Sequence, residues 1–183
     1  MASEIPSTPP PPKKSTLDTA ANIAIIVVCA MAAVAIGLNI RDRIFPPPPP
    51  PMPGQVAKGQ QFDQLKNVVP AGSDRALVVA VAPQCHYCND SLPFYKQLVD
   101  QRNQKGSGVK FVAAVPSEAA KAEESQKFTG AGVQVDNMVN IDFASIKVPG
   151  TPTMLLVDKQ GKVLDVWVGK LNEDREKEVL ARL

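Results

Sequence analysis

Two of the chain's three cysteines and its only histidine fall in the stretch Cys85–His86–Tyr87–Cys88. Two cysteines separated by two residues occur in zinc sites, structural disulfides and redox couples, and they can also be inert buried thiols. A structural zinc site needs four ligands, usually Cys or His, and the chain after the N-terminal apolar run offers only three. A structural disulfide would close a loop of about four residues and would remove little chain entropy. The sequence therefore favours a redox couple that needs neither a metal nor a cofactor.

The residues around the pair fit thiol–disulfide exchange. An apolar strand precedes Cys85 and a helix is expected to begin there, so unpaired N–H groups and the helix dipole should favour the thiolate of Cys85. Cys88 lies one helical turn further on, where it can resolve a mixed disulfide formed at Cys85. His86 and Tyr87 lie where charge and hydrogen bonding tune the reduction potential, although a solvated surface histidine is the simpler interpretation of His86.

The surrounding sequence alternates between helix and strand patterns. Ser117 and Asn172 are the expected helix caps, Gly161 is expected to take a positive φ in a hairpin turn, and Tyr95 is expected to be half-buried. The order predicts an α/β fold whose mixed sheet has a parallel core, a C-terminal antiparallel hairpin and flanking helices. In chain order the predicted elements are a helix at 60–69, a strand at 76–82, a helix at 85–104 that contains Pro93, a strand at 109–115, a helix at 117–130, a strand at 133–139, a hairpin at 153–169 and a helix at 172–183.

Three features of this pattern together resemble the thioredoxin superfamily. The strand "ALVVAVAP" leads into "CHYC", Pro93 follows Cys88 by five residues, and "VPGTPTMLLVDKQGKVLDVWVG" comes some 60 residues later. The resemblance implies a thioredoxin-like fold, a helix-kinking Pro93 and a cis proline at Pro152 that faces the cysteines. It also implies that Cys85 and Cys88 are catalytic and that the backbone of Thr151 binds an extended client segment. Two positions differ from the usual pattern: Gln84 replaces a tryptophan before the first cysteine, and Val79 replaces a buried aspartate.

Within the superfamily, the chain looks most similar to the membrane-anchored, extracytoplasmic TlpA-like thiol–disulfide oxidoreductases of bacteria. That resemblance implies protein thiols or disulfides as clients, in disulfide handling or cytochrome c maturation, with a membrane electron donor or acceptor as a further partner. The two differences at Gln84 and Val79 leave a second hypothesis open, namely a tethered binding or redox-sensing module without turnover. The dipeptide between the cysteines does not decide the direction of electron flow.

The segments before the domain predict a membrane tether. Residues 1–18 form a polar, proline-rich tail, and residues 19–40 contain no charged side chain over 22 residues, which is long enough for a helix to cross a bilayer. Residues 41–59 contain the run Pro46–Pro51, which predicts a polyproline II stalk, and residues 60–183 form the thioredoxin-like domain. We therefore expect a single-pass membrane protein that contacts lipid through residues 19–40. The TlpA-like resemblance implies that the membrane is the bacterial cytoplasmic membrane, with the N-terminus inside and the domain in the periplasm.

The charge of the chain argues against nucleic acid as a partner. The net charge is +2, and in the domain the two signs are interspersed without a basic stripe.

Overall fold

The computed structural model describes residues 16–44 and 54–183, which form two separate units. In the first unit, helix α1 (Thr16–Ile44) contains the whole uncharged run, and its described side chains, those of residues 22–36, are exposed. The part of the chain that the structure describes contains no helix that is both long and apolar enough to cross a membrane. The start of the predicted tail and the prolines of the predicted stalk lie outside the described residues.

The second unit is built on a five-stranded mixed sheet, as the sequence predicts. The strands lie in the order β3–β2–β1–β4–β5, in which β1 pairs in parallel with β2 and β2 with β3, whereas β4 is antiparallel to both β1 and β5. The central strand β1 is buried on both faces, since the side chains of Ala76 to Ala80 are at most 1% exposed. The strands are β1 (Arg75–Ala80), β2 (Lys110–Val115), β3 (Asn137–Asn140), β4 (Thr153–Asp158) and β5 (Val163–Val168).

The helices of this unit pack on one face of the sheet. Since β1 to β2 and β2 to β3 step in the same direction across the sheet, right-handed parallel crossovers put both connecting helices on the same side. The closing helix joins them there, and alternate strand residues such as Val79 and Phe111 point into the shared core. The helices are α2 (His86–Asp90), α3 (Leu92–Lys105), α4 (Glu118–Gly130) and α5 (Glu173–Leu180).

Irregular chain covers the opposite face, and here one prediction is wrong. Instead of a helix over residues 60–69, the structure has a single 3₁₀ turn, Asp63–Leu65. The apolar residues Leu65 and Val68 are buried as the spacing requires. However, Phe62 N–H donates to Gly161 O (3.0 Å) and Gln60 O accepts from Val163 N–H (2.8 Å). Because the backbone of this segment pairs with the hairpin, those groups are not available for helical i to i−4 bonds.

The helix predicted for residues 85–104 is present, but it is divided. It breaks at Ser91 into α2 and α3, with Pro93 in the first turn of α3. Proline has no N–H to continue the ladder of α2, but it is well tolerated at the start of a helix. The other local predictions are confirmed: Ser117 and Asn172 accept capping hydrogen bonds, and Gly161 has a φ of 76°.

A buried ion pair fixes the far end of α3. The Arg102 guanidinium, whose side chain is 8% exposed, binds the carboxylate of Asp136, and Asp136 also accepts the N–H of Phe111 at 2.8 Å. The chain just before β3 is therefore tied to both α3 and β2. From there β3 runs parallel to β2 at the edge of the sheet.

Candidate active site

The two cysteines lie at the junction between β1 and α2. Cys85 is the N-terminal cap of α2, and its Sγ accepts the N–H of Cys88 at 3.1 Å. Cys85 and Cys88 form a disulfide, with their Cα atoms 5.2 Å apart. The strand end, the turn at Pro83 and one helical turn are thus sufficient to bring the two sulfurs together.

The two sulfurs differ in accessibility. Cys85 is half-buried, whereas Cys88 is 3% exposed and belongs to the apolar core on the helical face of the sheet. Val79, where the resemblance to thioredoxins implies an aspartate, is fully buried in the same core. The surroundings of the inner sulfur are therefore mainly apolar, and the outer sulfur is the one that solvent and other molecules can approach.

The loop before β4 lies against the outer sulfur. The Thr151–Pro152 peptide bond is cis, as the superfamily resemblance implies, and Thr151 O lies 3.4 Å from Cys85 Sγ. Two hydrogen bonds hold this loop: the Thr153 hydroxyl donates to Gly150 O at 2.7 Å, and the Gly169 N–H donates to Pro152 O at 2.8 Å. The structure thus places Thr151 and Pro152 beside Cys85, although they follow it in the sequence by 66 and 67 residues.

His86 and Tyr87 both point away from the core. The His86 side chain is 81% exposed and Tyr87 is 59% exposed. His86 Nε2 lies 3.6 Å from Asp90 Oδ2, and the same oxygen accepts from Lys170 Nζ at 3.0 Å. The hydrogen bond from Lys170 holds the pKa of Asp90 below its usual value, and the charge of His86 acts in the same direction.

Sequence reasoning missed Asp90 and Lys170. The spacing of four residues between His86 and Asp90 is a local signal that would have identified the first contact. Lys170 is 80 residues from Asp90 and carries no local signal. Gln84, beside Cys85, has a φ of 62°, a conformation that few non-glycine residues adopt.

Tyr95 is fully buried below the site, and the expectation of a half-buried side chain is wrong. Its ring is 1% exposed and packs between the rings of Phe111 (5.8 Å between centroids) and Phe128 (6.1 Å). Within the described residues its phenol oxygen has no hydrogen-bond partner. Burial raises the pKa of Tyr95 above its usual value, the Ser91 hydroxyl acts in the opposite direction, and the nearby carboxylate of Glu124 adds to the rise.

In residues 16–44 and 54–183 there is no group of three His, Cys, Asp or Glu side chains that could hold a metal ion.

Several solved structures are similar to parts of this chain. A putative thiol:disulfide interchange protein DsbE from Chlorobium tepidum is 22% identical over 69% of this chain and 98% of its own, with a TM-score of 0.50. A thiol-disulfide isomerase from Corynebacterium glutamicum is 14% identical over 70% of this chain and 92% of its own (TM-score 0.49). A secreted Mycobacterium tuberculosis disulfide oxidoreductase homologous to E. coli DsbE is 19% identical over 60% and 82% (TM-score 0.47). At 22% identity, the similarity to the Chlorobium tepidum protein shows a shared fold and no more.

No curated protein sequence matches the chain. A family model described as a thioredoxin-like domain matches residues 61–183, which is more than half of the chain. The chain belongs to this thioredoxin-like domain family.

Proposed function

We propose that the chain is a membrane-tethered thiol–disulfide oxidoreductase that exchanges electrons with protein thiols and disulfides through Cys85 and Cys88. The observation that carries the proposal is the asymmetry of the disulfide, in which Cys85 is half-buried and Cys88 is 3% exposed. A client sulfur reaches Cys85 far more readily than Cys88. The inner sulfur, that of Cys88, is then the one that leaves when the disulfide is attacked and that resolves a mixed disulfide formed at Cys85.

The oxidation of a client dithiol proceeds in two balanced steps. A client thiolate attacks Cys85 Sγ, the bond between Cys85 and Cys88 breaks, and Cys88 leaves as a thiolate that takes up a proton. The second client thiol then loses its proton and attacks the client sulfur of the mixed disulfide, and Cys85 leaves as a thiolate. The N–H of Cys88, 3.1 Å from Cys85 Sγ in the disulfide, is placed to stabilise that charge.

The same residues run the reaction in reverse when a client disulfide is reduced. In that direction the Cys85 thiolate attacks the client, Cys88 resolves the mixed disulfide, and the two electrons of the dithiol pass to the client. A membrane electron donor or acceptor then resets the couple. Disulfide handling and cytochrome c maturation are the two settings that the TlpA-like resemblance supports.

We assign substrate positioning to Thr151 and Pro152. The loop lies against Cys85, and the hydrogen bonds of its neighbours hold it in place. An extended client segment alongside this loop would place its sulfur close to Cys85. His86 and Tyr87, exposed on the same side, are the residues that we expect to tune the reduction potential.

The tether and the location are proposed from the sequence, since no membrane-spanning helix is found in the described part of the chain. The 22-residue uncharged run 19–40 lies within the continuous helix α1, and a bilayer would cover the exposed apolar side chains of that helix. We propose that this segment anchors the protein in the bacterial cytoplasmic membrane, with the N-terminus inside and the domain in the periplasm. A membrane-impermeant maleimide tests this orientation in a chain without its native cysteines. In intact cells Ser107→Cys should be labelled and Ser7→Cys should not. Labelling of Ser7→Cys alone would show the opposite orientation.

Trapping of mixed disulfides tests the oxidoreductase activity. The variant Cys88→Ser keeps the outer thiol and lacks the resolving one, so clients should accumulate as adducts that a reductant releases. The matched control Cys85→Ser keeps only the buried thiol and should trap at least tenfold less, because Cys88 is hardly exposed. Equal trapping by the two variants, or a wild-type couple that does not titrate reversibly with glutathione, would contradict the proposal.

The second candidate function is a tethered binding or redox-sensing module. It is favoured by the buried Val79, which leaves the inner cysteine without the usual neighbouring acid. Capture of partners that persists unchanged in a chain with both Cys85→Ser and Cys88→Ser would support this function over turnover. Capture that is lost in the same chain supports the oxidoreductase.

A further inference from the structure

A single carboxylate oxygen links the active-site helix to the loop after β5. Asp90, the last residue of α2, accepts from Lys170 Nζ at 3.0 Å, and His86 Nε2 lies 3.6 Å from the same oxygen. We infer that Asp90 is a positioning residue that, together with Lys170, sets the charge beside Cys85 and so the equilibrium between the dithiol and the disulfide. The inference rests on the proposed function and deepens it.

The contact between Asp90 and Lys170 completes a ring of contacts that runs through Cys85, the loop before β4 and the loop after β5. Lys170 directly follows Gly169, whose N–H donates to Pro152 O at 2.8 Å. The carbonyl oxygen of the preceding residue, Thr151, lies 3.4 Å from Cys85 Sγ. The helix that carries the cysteines and the loop that faces them are therefore connected on one side through Cys85 and on the other through Asp90.

The ring carries a defined charge balance. Asp90 contributes one negative charge, Lys170 one positive charge, and His86 a second positive charge when it is protonated. The side chains of Asp90 and Lys170 are 32% and 48% exposed, so solvent weakens their field without removing it. Because opening of the disulfide creates a thiolate at Cys85, a change in this balance acts on the dithiol form and leaves the uncharged disulfide almost unaffected.

The direction of each effect follows from the sign of the charge removed. Asp90→Asn removes a negative charge and should stabilise the dithiol, whereas Lys170→Met removes a positive charge and should stabilise the disulfide. At about 8 Å, the reach of five helical residues, one unit charge in a water-like dielectric changes an equilibrium constant about two- to threefold. For a two-electron couple this is a shift of about 10–15 mV.

The test measures the equilibrium constant of the full chain with glutathione near neutral pH. Each substitution is made in a His86→Ala background, so that the imidazole cannot compensate by gaining or losing a proton. We expect Asp90→Asn and Lys170→Met to shift the constant about two- to threefold in opposite directions. We also expect Lys170→Met to have a smaller effect in the Asp90→Asn chain, because the carboxylate that holds the Lys170 ammonium group beside α2 is then absent.

A second ion pair on α3 gives the matched control. Lys96 Nζ and Asp100 Oδ2 are 2.7 Å apart, each side chain is 50% exposed, and the pair lies further along the helix from Cys85. Asp100→Asn and Lys96→Met change the same charges and should leave the constant nearly unchanged. A merely structural role of Asp90 would lower the unfolding temperature without opposite shifts for the two variants.

Two outcomes would overturn the inference, and they can be told apart. If the wild-type couple titrates with glutathione but Asp90→Asn and Lys170→Met shift it no more than the controls, the inference fails and the proposed function stands. If the wild-type couple does not exchange with glutathione at all, both fail.

Discussion

The chain contains two tyrosines in opposite environments, and they predict how its stability depends on alkaline pH. Tyr95 is 1% exposed and Tyr87 is 59% exposed. Burial holds the pKa of Tyr95 above its usual value near 10, because the phenolate cannot be solvated in the aromatic core. The folded chain therefore keeps the Tyr95 proton at a pH at which the unfolded chain has already lost it.

The sign and size of the effect follow from proton linkage. Above about pH 10 the unfolded state binds one proton fewer than the folded state, so the free energy of unfolding falls as the pH rises. The contribution of Tyr95 is fully present below about pH 10, and it is lost by about 1.4 kcal/mol for each pH unit above that, up to the raised pKa of the folded state.

Urea unfolding of the oxidised chain measures this loss directly. Trp167 is the only tryptophan and is 3% exposed, so its fluorescence reports the transition. Between about pH 7 and about pH 11, Tyr95→Phe should lose about 1.4 kcal/mol less than the native chain. At neutral pH, Tyr95→Phe should be neutral or stabilising by up to about 1 kcal/mol, since it removes a buried hydroxyl that has no partner.

The matched control is Tyr87→Phe, which should keep the alkaline loss of the native chain. Lysines that titrate in the same range contribute equally to all three chains and cancel in the comparison. Equal slopes for Tyr95→Phe and the native chain above about pH 10 would refute the reasoning, as would a slope that disappears in Tyr87→Phe.

Three further substitutions test the contacts that hold the fold, each by urea unfolding. Asp136→Asn leaves the buried Arg102 guanidinium without a charged partner and should cost about 2–4 kcal/mol; a loss below about 1 kcal/mol would contradict a buried pair. Gly161→Ala places a methyl group against the backbone of Phe62 at a φ of 76°, so it should cost at least about 2 kcal/mol, and no loss would mean that the hairpin turn is misplaced. Ser117→Ala removes the cap of α4 and should cost about 1 kcal/mol, whereas Ser117→Asp should retain most of it.

Much of the fold follows from local patterns in the sequence. Apolar runs of strand length, a capping serine before a helix and a glycine in a hairpin turn each depend on residues within a few positions of one another. The structure therefore contains the predicted strands, the α4 helix with its Ser117 cap and the Gly161 turn. The dithiol, too, could be recognised from the sequence, because two cysteines one helical turn apart after a buried strand are close in space whatever the rest of the chain does.

The loop opposite Cys85 is an intermediate case. No local pattern places Thr151 and Pro152 against the cysteines, and their position was expected only from the family resemblance. The structure has the cis bond and the contact with Cys85 Sγ. The pairing of β1 with β4 is the physical reason, since it brings the start of β4 to the end of β1.

The sequence by itself thus determined the order of the elements, the family and the two cysteines. Tertiary structure decided what depends on neighbours distant in the chain. It paired the backbone of Gln60 and Phe62 with the hairpin, so the segment 60–69 does not form the helix that its spacing predicts. It buried Tyr95 between aromatic rings from β2 and α4, and it brought Lys170 to Asp90 across 80 residues. Periodicity and capping act within one element, whereas burial and charge at the active site are set by which elements the sheet topology places side by side.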